Sequence, residues 1–502
     1  MQVEPALETF EPAYADGRAQ VVWTRLVADL ETPVSAMLKL SAGRSNTFLL
    51  ESVEGGAVRG RYSMIGLDPD LIFKAERERA WVDRAPGAGR FEPHPLPTLD
   101  AIRDLLAESR IELPPALPPM AAGIFGYLGY DVVRLMERLP PAKPDGLGLP
   151  DTILVRPLIL VVFDSVKDEL TIVTPVRPHE GRSARAAYNE AVNRLTEIVE
   201  ALDRPIDRSA ERADLPLAAE IASNTPPEAY LAMVARAKEY IAAGDIFQVV
   251  LSQRFETPFP LPAFSLYRAL RRVNPSPYLY FLDLDGFAIV GSSPEILVRV
   301  RGGEVTIRPI AGTRPRGATP EEDARLGEEL LADPKELAEH LMLLDLGRND
   351  VGRVAEIGTV KVTDRFFLEH YSQVMHIVSN VVGRLRADRD ALDALVAGFP
   401  AGTVSGAPKV RAMEIIDELE LGKRGPYAGC VGYFSATGEM DTCIVLRTAV
   451  VKDGRMYVQA GAGIVADSDP ASEQAECVSK AKALFRAAEE ARRFASQAGR
   501  GQ

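Results

Sequence analysis

The chain is organised around the stretch Gly461-Ala-Gly463-Ile-Val-Ala-Asp467-Ser-Asp469-Pro470-Ala-Ser-Glu473-Gln-Ala-Glu476-Cys-Val-Ser-Lys480. The Asp-Pro pair in its middle predicts the start of a helix, because the carboxylate caps free backbone N–H groups and proline presets the first helical φ. In that helix both glutamates and the lysine fall on one face. The glycines before it allow backbone N–H groups to approach a ligand closely. The stretch is therefore typical of a site for an anionic ligand and a hard metal ion.

A second segment repeats this pattern, in Asp333-Pro334-Lys335-Glu336-Leu-Ala-Glu339-His340. It again opens with an acidic residue and a proline, and its two glutamates lie three residues apart. Two helices that each present Glu-x-x-Glu can face each other across Mg²⁺, which binds carboxylate oxygens and keeps positions for water and substrate. The alternative is that each helix shows a solvated face with an internal ion pair, the more common arrangement for an arbitrary surface helix.

The composition excludes several classes of function. The 502 residues are 46% hydrophobic and 26% charged, with a formal net charge of −13. Nucleic acid is not an expected partner, because phosphate binding needs a basic surface. The N-terminus lacks a signal-peptide pattern, the longest apolar runs are too short to span a membrane, and the 3 cysteines form no disulfide framework. We therefore expect a cytoplasmic protein without a membrane partner.

The chain divides by pattern into five segments. These are a loose lead-in at 1–20, an N-terminal subdomain at 21–202, a charged linker at 203–224, a second domain at 225–486 and a tail at 487–502. Short β-like runs alternate with helices, and hairpin spacings are as common as βαβ spacings, which predicts an α+β fold. The end of the tail has no core to join and is expected to be disordered.

Three further stretches contain residues whose role the local sequence pattern does not decide. Arg447 interrupts an apolar strand, where a charge must meet either a buried carboxylate or, as we favour, a ligand carboxylate. His376 lies in a half-buried strand, where a histidine is more often a satisfied core residue than a catalytic base. Residues 402–409 form a small-residue turn before a helix, equally consistent with an anion site or an ordinary capped helix.

Taken together and in order, these stretches resemble the chorismate-binding enzyme family. They are Gly291-Ser-Ser-Pro-Glu295, Pro309-Ile-Ala-Gly-Thr-Arg314, Lys335-Glu-Leu-Ala-Glu-His340, Val374-Met-His376, Ala401-Gly-Thr-Val-Ser-Gly-Ala-Pro-Lys409, the Arg447 strand and residues 461–480. The resemblance covers roughly residues 225–485 and extends through Leu49-Leu-Glu-Ser52 and Gly126-Tyr-Leu-Gly-Tyr-Asp131. It implies an α+β sandwich of two antiparallel β-sheets with helices outside.

Within the family, the chain is most similar to the lyases that make anthranilate from chorismate and ammonia. The resemblance implies Mg²⁺-dependent amination of chorismate at C2 with loss of the C4 hydroxyl, followed by elimination of pyruvate, as the first step of tryptophan biosynthesis. It also implies that Glu339 and Glu476 contact Mg²⁺ directly, and that Glu336 and Glu473 act largely through water.

The resemblance assigns the remaining roles in the catalytic pocket. Glu295 corresponds to the general acid for departure of the C4 hydroxyl, which requires a raised pKa. His376 corresponds to the base or proton shuttle of the pyruvate-eliminating step. The expected substrate-binding residues are Gly312, Thr313, Thr403, Tyr427, Arg447, Gly461, Ala462, Gly463 and Lys480.

Two positions distinguish this chain from other members of the family. Isochorismate and salicylate synthases carry a water-activating lysine where this chain has Gln248, and aminodeoxychorismate synthases carry a nucleophilic lysine where it has Ala311. Without either lysine the nucleophile is expected to arrive as ammonia. No cysteine lies in a nucleophile-elbow setting, so a separate glutamine amidotransferase subunit, component II, is expected to supply it within a heterotetramer.

The resemblance further implies feedback inhibition by tryptophan, with 21–202 as a regulatory subdomain. The expected tryptophan-binding residues are Glu51, Ser52, Pro277, Tyr278, Leu279, Val431, Gly432 and Tyr433. Of these, Glu51 and Ser52 are expected to meet the polar end of the amino acid. Two alternatives are an aminodeoxychorismate synthase component I without its lysine and a non-catalytic amino-acid-sensing subunit. The intact acid, histidine and four glutamates argue against the second.

Overall fold

The computed structural model describes residues 1–54, 58–206, 220–371 and 374–496 as a mixed fold of helices and antiparallel strands. The α-helices of these residues are α1 (Leu7–Ala15), α2 (Pro33–Leu40), α3 (Thr98–Glu108), α4 (Ala184–Leu202), α5 (Pro227–Ala242), α6 (Ala263–Val273), α7 (Pro320–Ala332), α8 (Pro334–Gly352), α9 (Ala391–Gly398), α10 (Lys409–Leu419) and α11 (Pro470–Ser496). Within the described ranges, none of the helices is long and apolar enough to cross a membrane.

The strands of the first half of the chain are β1 (Gln20–Val27), β2 (Thr47–Glu54), β3 (Val58–Glu76), β4 (Arg79–Asp83), β5 (Glu92–Pro93), β6 (Gly123–Leu128), β7 (Thr152–Asp164), β8 (Glu169–Val176) and β9 (Ala222–Ser223). Those of the second half are β10 (Gln248–Pro258), β11 (Tyr278–Leu284), β12 (Phe287–Ser293), β13 (Ile296–Arg301), β14 (Glu304–Ile307), β15 (Ile310–Pro315), β16 (Lys361–His370), β17 (Val374–Arg384), β18 (Gly406–Ala407), β19 (Cys430–Ser435), β20 (Met440–Ile444), β21 (Thr448–Lys452) and β22 (Arg455–Ile464).

The strands enclose an inner core, and helices cover the outer faces. Phe48, Met64, Phe125, Tyr280 and Val431 come from five different strands and meet in the inner core. Helices α3, α5, α8, α9 and α10 contribute to one outer core, and α1, α2, α4, α6 and α11 contribute to the other. Because sheet faces alternate along a strand, each strand can fill the inner core with one set of residues and an outer core with the other. The predicted α+β sandwich with helices outside is confirmed.

Four long strands join the two halves of the sandwich. In β3, Ile65 faces the outer core that α4 covers, whereas Phe73 faces the outer core that α9 covers. The change falls at an irregularity in the pairing of β3 with β7, between Pro69 and Leu71. Strands β7, β10 and β22 also contribute to both outer cores. The two sheets are therefore continuous at corners where strands pass from one to the other.

The predicted subdomain at 21–202 and domain at 225–486 share their sheets. Strand β2 pairs with β11, and β6 pairs with β19. Most of the predicted linker, residues 207–219, lies outside the described residues, and β9 at its end pairs with β10. The division made from sequence pattern thus does not separate two hydrogen-bonded units.

The predicted tail at 487–502 differs from the structure. Helix α11 continues to Ser496, and it packs against α6. Ala487, Ala488, Ala491 and Ala495 are buried there. These alanines lie on one helical face, a pattern that composition alone does not reveal. Residues 497–502 lie outside the described part of the chain.

Helices α8 and α11 begin where the sequence predicts. The Asp333 carboxylate accepts hydrogen bonds from the backbone N–H groups of Lys335 and Glu336, at 3.0 and 3.4 Å. The Asp469 carboxylate accepts one from the Ser472 N–H at 2.9 Å. These caps fix the first turn of each helix and, with it, the face that carries the glutamates.

Candidate active site

A pocket of about 580 Å³ lies between α8, α11 and the strands β10, β15, β17 and β22. Its lining contains nearly all residues that the sequence predicts for catalysis, metal binding and substrate binding: Glu295, Gly312, Thr313, Glu336, Glu339, His376, Thr403, Tyr427, Arg447, Gly461, Gly463, Glu473, Glu476 and Lys480. The two positions that separate this chain from other family members, Gln248 and Ala311, also line the pocket.

Ala462 is the exception among the expected substrate-binding residues. Its side chain is fully buried in the outer core covered by α5 and α10. Successive residues of a strand point to opposite faces, so Gly461 and Gly463 reach the pocket and the residue between them cannot. The prediction at this position concerns the backbone of residues 461–463 rather than the Ala462 side chain, and it stays a prediction.

The four predicted metal-binding glutamates act on one another electrostatically. Burial raises the pKa of Glu339 on α8, and the charges of Glu336 and Glu476 raise it further. Burial also raises the pKa of Glu473 on α11, with a further contribution from Glu476. The two glutamate pairs thus form one region of negative charge across the pocket, which a cation would stabilise.

This donor set fits Mg²⁺ in chemistry, because all four side chains offer hard oxygen ligands. Within the described residues, no group of three acidic, histidine or cysteine side chains already converges on one metal position. Three glutamates instead have one partner each: Glu336 with Arg314, Glu339 with Gln248 and Glu476 with Lys480. To hold Mg²⁺, these carboxylates would have to leave their present partners.

Glu295 is a buried carboxyl group on the pocket wall, 4% exposed. Burial raises its pKa to about 8, although the Thr403 hydroxyl, the Ile310 backbone and the charge of Arg447 oppose the shift. Thr403 Oγ1 donates to Glu295 Oε1 at 2.8 Å. At neutral pH the group therefore keeps its proton, as a general acid must.

His376 is buried beside Gly312 and Thr313. Its Nδ1 atom lies 3.0 Å from the Gly312 carbonyl oxygen and 3.0 Å from Thr313 Oγ1. A carbonyl oxygen only accepts, so Nδ1 carries the proton and Nε2 is left with its lone pair. Burial lowers the pKa of the ring to about 4, and the charges of Arg447 and Lys480 lower it further. The imidazole is therefore a neutral base at neutral pH.

Arg447 presents an unpaired cation to the pocket. Its guanidinium forms no ion pair with any residue that the structure describes, and burial lowers its pKa. Its backbone adopts a φ of 47°, in the left-handed region that non-glycine residues rarely occupy. A buried arginine without a carboxylate partner is costly, so the arrangement suits a ligand carboxylate.

A second cavity lies within the inner core. Seven of the predicted tryptophan-binding residues line it: Glu51, Ser52, Tyr278, Leu279, Val431, Gly432 and Tyr433. The other lining side chains are mostly apolar and include Met64 and Met120. Pro277 is not part of this lining, because it precedes β11 in the turn outside the sheet. Its predicted contact with the ligand is therefore not supported by the position of the cavity.

Glu51 has a different environment from the one expected. Arg271 Nε and Nη2 donate to its two carboxylate oxygens at 2.7 and 3.0 Å, and the Tyr267 hydroxyl donates to the first oxygen as well. A carboxylate held bidentately by arginine already has its charge compensated. The expectation that Glu51 binds the ammonium group of tryptophan is thus weakened. Ser52 Oγ donates to the Tyr62 carbonyl oxygen at 3.1 Å, and a ligand can bind Ser52 by replacing this one hydrogen bond.

Sequence reasoning missed a charged pair in the same cavity. Arg301 Nη2 donates to Asp441 Oδ2 at 3.2 Å, and both residues line the cavity. Asp441 Oδ1 is buried without a hydrogen-bond partner in the described chain, and burial raises the pKa of the group. A carboxylate inside the apolar strand β20 is the same kind of signal that singled out Arg447.

Known proteins resemble this chain in sequence and in fold. The model of a family described as chorismate binding enzyme matches residues 46–486. Anthranilate synthase component 1 of Cereibacter sphaeroides is 58% identical over 501 residues, covering 99% of this chain and 100% of that protein. The crystal structure of anthranilate synthase component I from Streptococcus pneumoniae superimposes with a TM-score of 0.75 at 39% identity, covering 85% of this chain and 92% of that chain. The menaquinone-specific isochorismate synthase from Escherichia coli shares the fold, with a TM-score of 0.70 at 20% identity over 96% of this chain and 98% of that chain.

Proposed function

The chain belongs to the chorismate-binding enzyme family, and from this we propose that it is the large subunit of an anthranilate synthase. In the first step, ammonia forms a bond to C2 of chorismate, the ring double bonds shift and the C4 hydroxyl leaves as water. In the second step, a proton leaves C2, the bond from C3 to the enolpyruvyl oxygen breaks, and the released side chain takes up a proton to become pyruvate. The ring that remains is anthranilate.

The observation that carries the proposal is a pair of proton-transfer groups with opposite protonation on one pocket wall. Burial gives Glu295 a pKa of about 8, so it can donate the proton that the departing hydroxyl needs. Burial gives His376 a pKa of about 4, so its neutral Nε2 can accept the proton that leaves C2. Each group is thus poised for one of the two steps.

The remaining pocket residues bind and orient the substrate. Arg447 pairs with the enolpyruvyl carboxylate, assisted by the Tyr427 hydroxyl and the backbone at 461–463. Glu339 and Glu476 would hold Mg²⁺ directly, and Glu336 and Glu473 would hold it through water. When bound, the ion supplies positive charge for the ring carboxylate and for the charge that develops as the hydroxyl leaves.

One assay tests the proposal directly. Purified chain is incubated with chorismate, Mg²⁺ and ammonium at alkaline pH, and anthranilate is followed by its fluorescence. We expect anthranilate and pyruvate in equal amounts. Accumulation of an aminodeoxychorismate that gives 4-aminobenzoate would assign the chain to the sibling reaction, and a lack of any amination would refute the proposed function.

The metal assignment has a readout that does not depend on turnover. Mg²⁺ that binds the folded chain should raise its melting temperature. We expect Glu476→Gln to abolish this Mg²⁺-dependent shift and to reduce turnover strongly, with an unchanged circular dichroism spectrum. The control is Glu489→Gln, which neutralises an exposed glutamate of the same helix outside the pocket. A normal Mg²⁺ shift in Glu476→Gln would remove Glu476 from the metal site.

The source of ammonia is the second part of the proposal. Neither Gln248 nor Ala311 can supply a nucleophile, and all three cysteines are buried. We expect the isolated chain to use ammonium but not glutamine, and to use glutamine once a glutamine amidotransferase subunit is added. Glutamine-dependent anthranilate from the rigorously purified chain would contradict this.

Reduced, buried cysteines are also consistent with a cytoplasmic location, which we propose for the assembled heterotetramer.

Tryptophan inhibition is assigned to the inner cavity. The apolar lining suits an indole ring, and Ser52 offers a polar contact at the rim. Because Glu51 is already paired with Arg271, we assign the ammonium group of tryptophan to Asp441 and its carboxylate to Arg301. These two residues form an ion pair now and can each exchange their partner for one end of the zwitterion.

A further inference from the structure

A cluster of Arg308, Glu369 and Tyr371 lies beside the proposed catalytic base and has no role in the mechanism so far. In the sheet, His376 of β17 is opposite Thr313 of β15 on one side and opposite Glu369 of β16 on the other. Opposed residues of antiparallel strands direct their side chains to the same face, so Glu369 is a neighbour of His376. Tyr371 follows Glu369 by two residues and shares this face.

The aromatic ring of Tyr371 packs edge-on against the imidazole of His376. The two ring centroids lie 5.4 Å apart, and the ring planes make an angle of 64°. The hydrogen bonds to Gly312 and Thr313 hold the imidazole at Nδ1, at one corner of the ring, and by themselves allow it to swing about that corner. A buried ring packed beside it restricts this motion.

Tyr371 is itself held at both ends. Its backbone N–H donates to the Val374 carbonyl at 2.8 Å, and Arg316 Nη1 donates to its carbonyl at 2.7 Å. Its hydroxyl donates to Glu369 Oε2 at 2.8 Å. Burial raises the pKa of Tyr371 and the charge of Glu369 raises it further, so the hydroxyl keeps its proton. The ring is thus a fixed surface for the imidazole.

The carboxylate of Glu369 has a donor at each oxygen. Arg308 Nη2 donates to Oε1, and the Tyr371 hydroxyl donates to Oε2. These two donors compensate the negative charge and direct the carboxylate toward themselves. This arrangement matters for His376, because a free carboxylate beside an imidazole stabilises its protonated form.

The other charges around the imidazole do not favour its protonation in the same way. The charged side chains that surround it are Arg447, Lys480 of α11, Glu369 of β16 and, beyond Gly312, Glu336 of α8 with its partner Arg314 of β15. Burial lowers the pKa of His376 to about 4, Arg447 and Lys480 lower it further, and Glu369 opposes them. The compensation of Glu369 therefore helps to keep the base neutral.

We infer that Tyr371 and Glu369 are positioning residues for the second step of the reaction. The ring of Tyr371 fixes the orientation of His376, and its hydroxyl, together with Arg308, binds the Glu369 carboxylate so that this carboxylate does not bind the imidazole. Neither Tyr371 nor Glu369 lines the pocket, so both act through His376. The inference rests on the proposed function, in which His376 takes the proton from C2.

NMR of the histidine-labelled chain tests the hydroxyl without turnover. The chain has 5 histidines, and the signal of His376 is the one missing from His376→Gln. In the wild type we expect a single Nδ1–H tautomer that stays neutral at neutral pH, because the pKa is about 4. Tyr371→Phe keeps the ring and removes the hydroxyl, so the pKa of His376 should rise by roughly one unit.

A second substitution shows whether Glu369 causes this shift. Glu369→Gln in the Tyr371→Phe variant should return the pKa of His376 to the wild-type value, because the uncompensated charge is gone. The matched control is Tyr230→Phe on α5, which removes another buried hydroxyl, one that donates to the Leu251 carbonyl at 3.0 Å. The pKa of His376 should be unchanged in this control.

The ring is tested by steady-state kinetics with detection of intermediates. In Tyr371→Leu the imidazole loses its packing surface, so the second step should slow and the aminated intermediate should accumulate. The kcat for anthranilate should fall about ten- to hundredfold, as expected for a misplaced base, whereas the KM for chorismate should stay near the wild-type value. Tyr371→Phe, which keeps the ring, should retain a kcat near wild type at alkaline pH.

The outcomes distinguish this inference from the proposed function. Wild-type enzyme that makes no anthranilate refutes the proposed function, and the NMR experiment still tests the contacts of His376. An unchanged pKa in Tyr371→Phe, or a shift that Glu369→Gln does not reverse, overturns the role of the hydroxyl. Wild-type kcat without accumulated intermediate in Tyr371→Leu overturns the role of the ring.

Discussion

At the scale of single residues, burial shifts the pKa values of two pocket residues in opposite directions. Burial disfavours the charged form of any group, so it raises the pKa of a carboxyl and lowers that of an imidazole. In this pocket it gives Glu295 a pKa of about 8 and His376 a pKa of about 4. The enzyme thus obtains an acid and a base without a dedicated charged partner for either. The nearby cation Arg447 opposes the first shift and reinforces the second.

The raised pKa of Glu295 predicts the direction in which the reaction rate changes with pH. The acid must be protonated, so the rate expressed per free ammonia should fall as the pH rises through about 8. Glu295→Gln should lower kcat by about 10²- to 10⁴-fold and remove this limb. In Thr403→Val the limb should move to higher pH, because the hydroxyl that lowers the pKa of Glu295 is gone. A profile that stays flat above pH 8 in wild type would show that another group is the acid.

The sequence predicts ligand-contacting residues only where a recognisable motif indicates their role. Glu295 was assigned from the family motif and Arg447 also from its charge within an apolar strand, and both line the pocket. The surroundings of Glu51 could not be read, because its partner Arg271 lies 220 residues away in the chain. Asp441 and Arg301 were missed although Asp441 carries the same signal as Arg447.

At the scale of elements, helix starts were predictable and helix ends were not. An Asp-Pro pair determines the first turn locally, and both α8 and α11 begin there. The end of α11 depends on whether its alanines find a surface to pack against, and part of that surface belongs to α6. The corners of β3, β7, β10 and β22 were likewise unpredictable, since a strand has the same alternation on either side of its bend.

The length of α11 leads to a test by truncation. A chain ending at residue 486 loses Ala487, Ala488, Ala491 and Ala495, all of which are buried. We expect a clear drop in melting temperature, because apolar surface of α6 would become exposed to water. The comparison is a chain ending at residue 496, which keeps all four alanines and should melt like the full chain. Equal melting temperatures for both truncations would show that the final turns of α11 contribute nothing.

At the scale of the whole molecule, Thr448 at the start of β21 links a residue of the inner cavity with a residue of the catalytic pocket. Tyr280 lines the cavity, and its hydroxyl forms a hydrogen bond with Thr448 Oγ1. Thr448 follows Arg447, whose carbonyl accepts a hydrogen bond from the Ser292 N–H at 3.2 Å. A ligand that moves Tyr280 can thus alter the strained backbone that carries Arg447. Coupling through this contact would make tryptophan and chorismate weaken each other's binding by the same factor.

Ser52 provides the test of this regulation. Ser52→Arg fills the cavity, so it should abolish inhibition by tryptophan and leave catalysis near the wild-type rate, as measured by steady-state kinetics with and without tryptophan. The control is Ser45→Arg, which introduces the same side chain at an exposed position before β2. An active Ser52→Arg enzyme that is still fully inhibited would place the tryptophan site elsewhere.

The pairing of β2 with β11 has a consequence during synthesis of the chain. As the polypeptide leaves the ribosome, β2 can pair with β3 at once, but its other edge stays open until β11 has emerged more than two hundred residues later. The delay is longer for β6 (Gly123–Leu128), whose partner β19 begins only at Cys430. An open, apolar strand edge is where nascent chains join one another, so this protein should depend on chaperones or slow translation until both β11 and β19 have emerged.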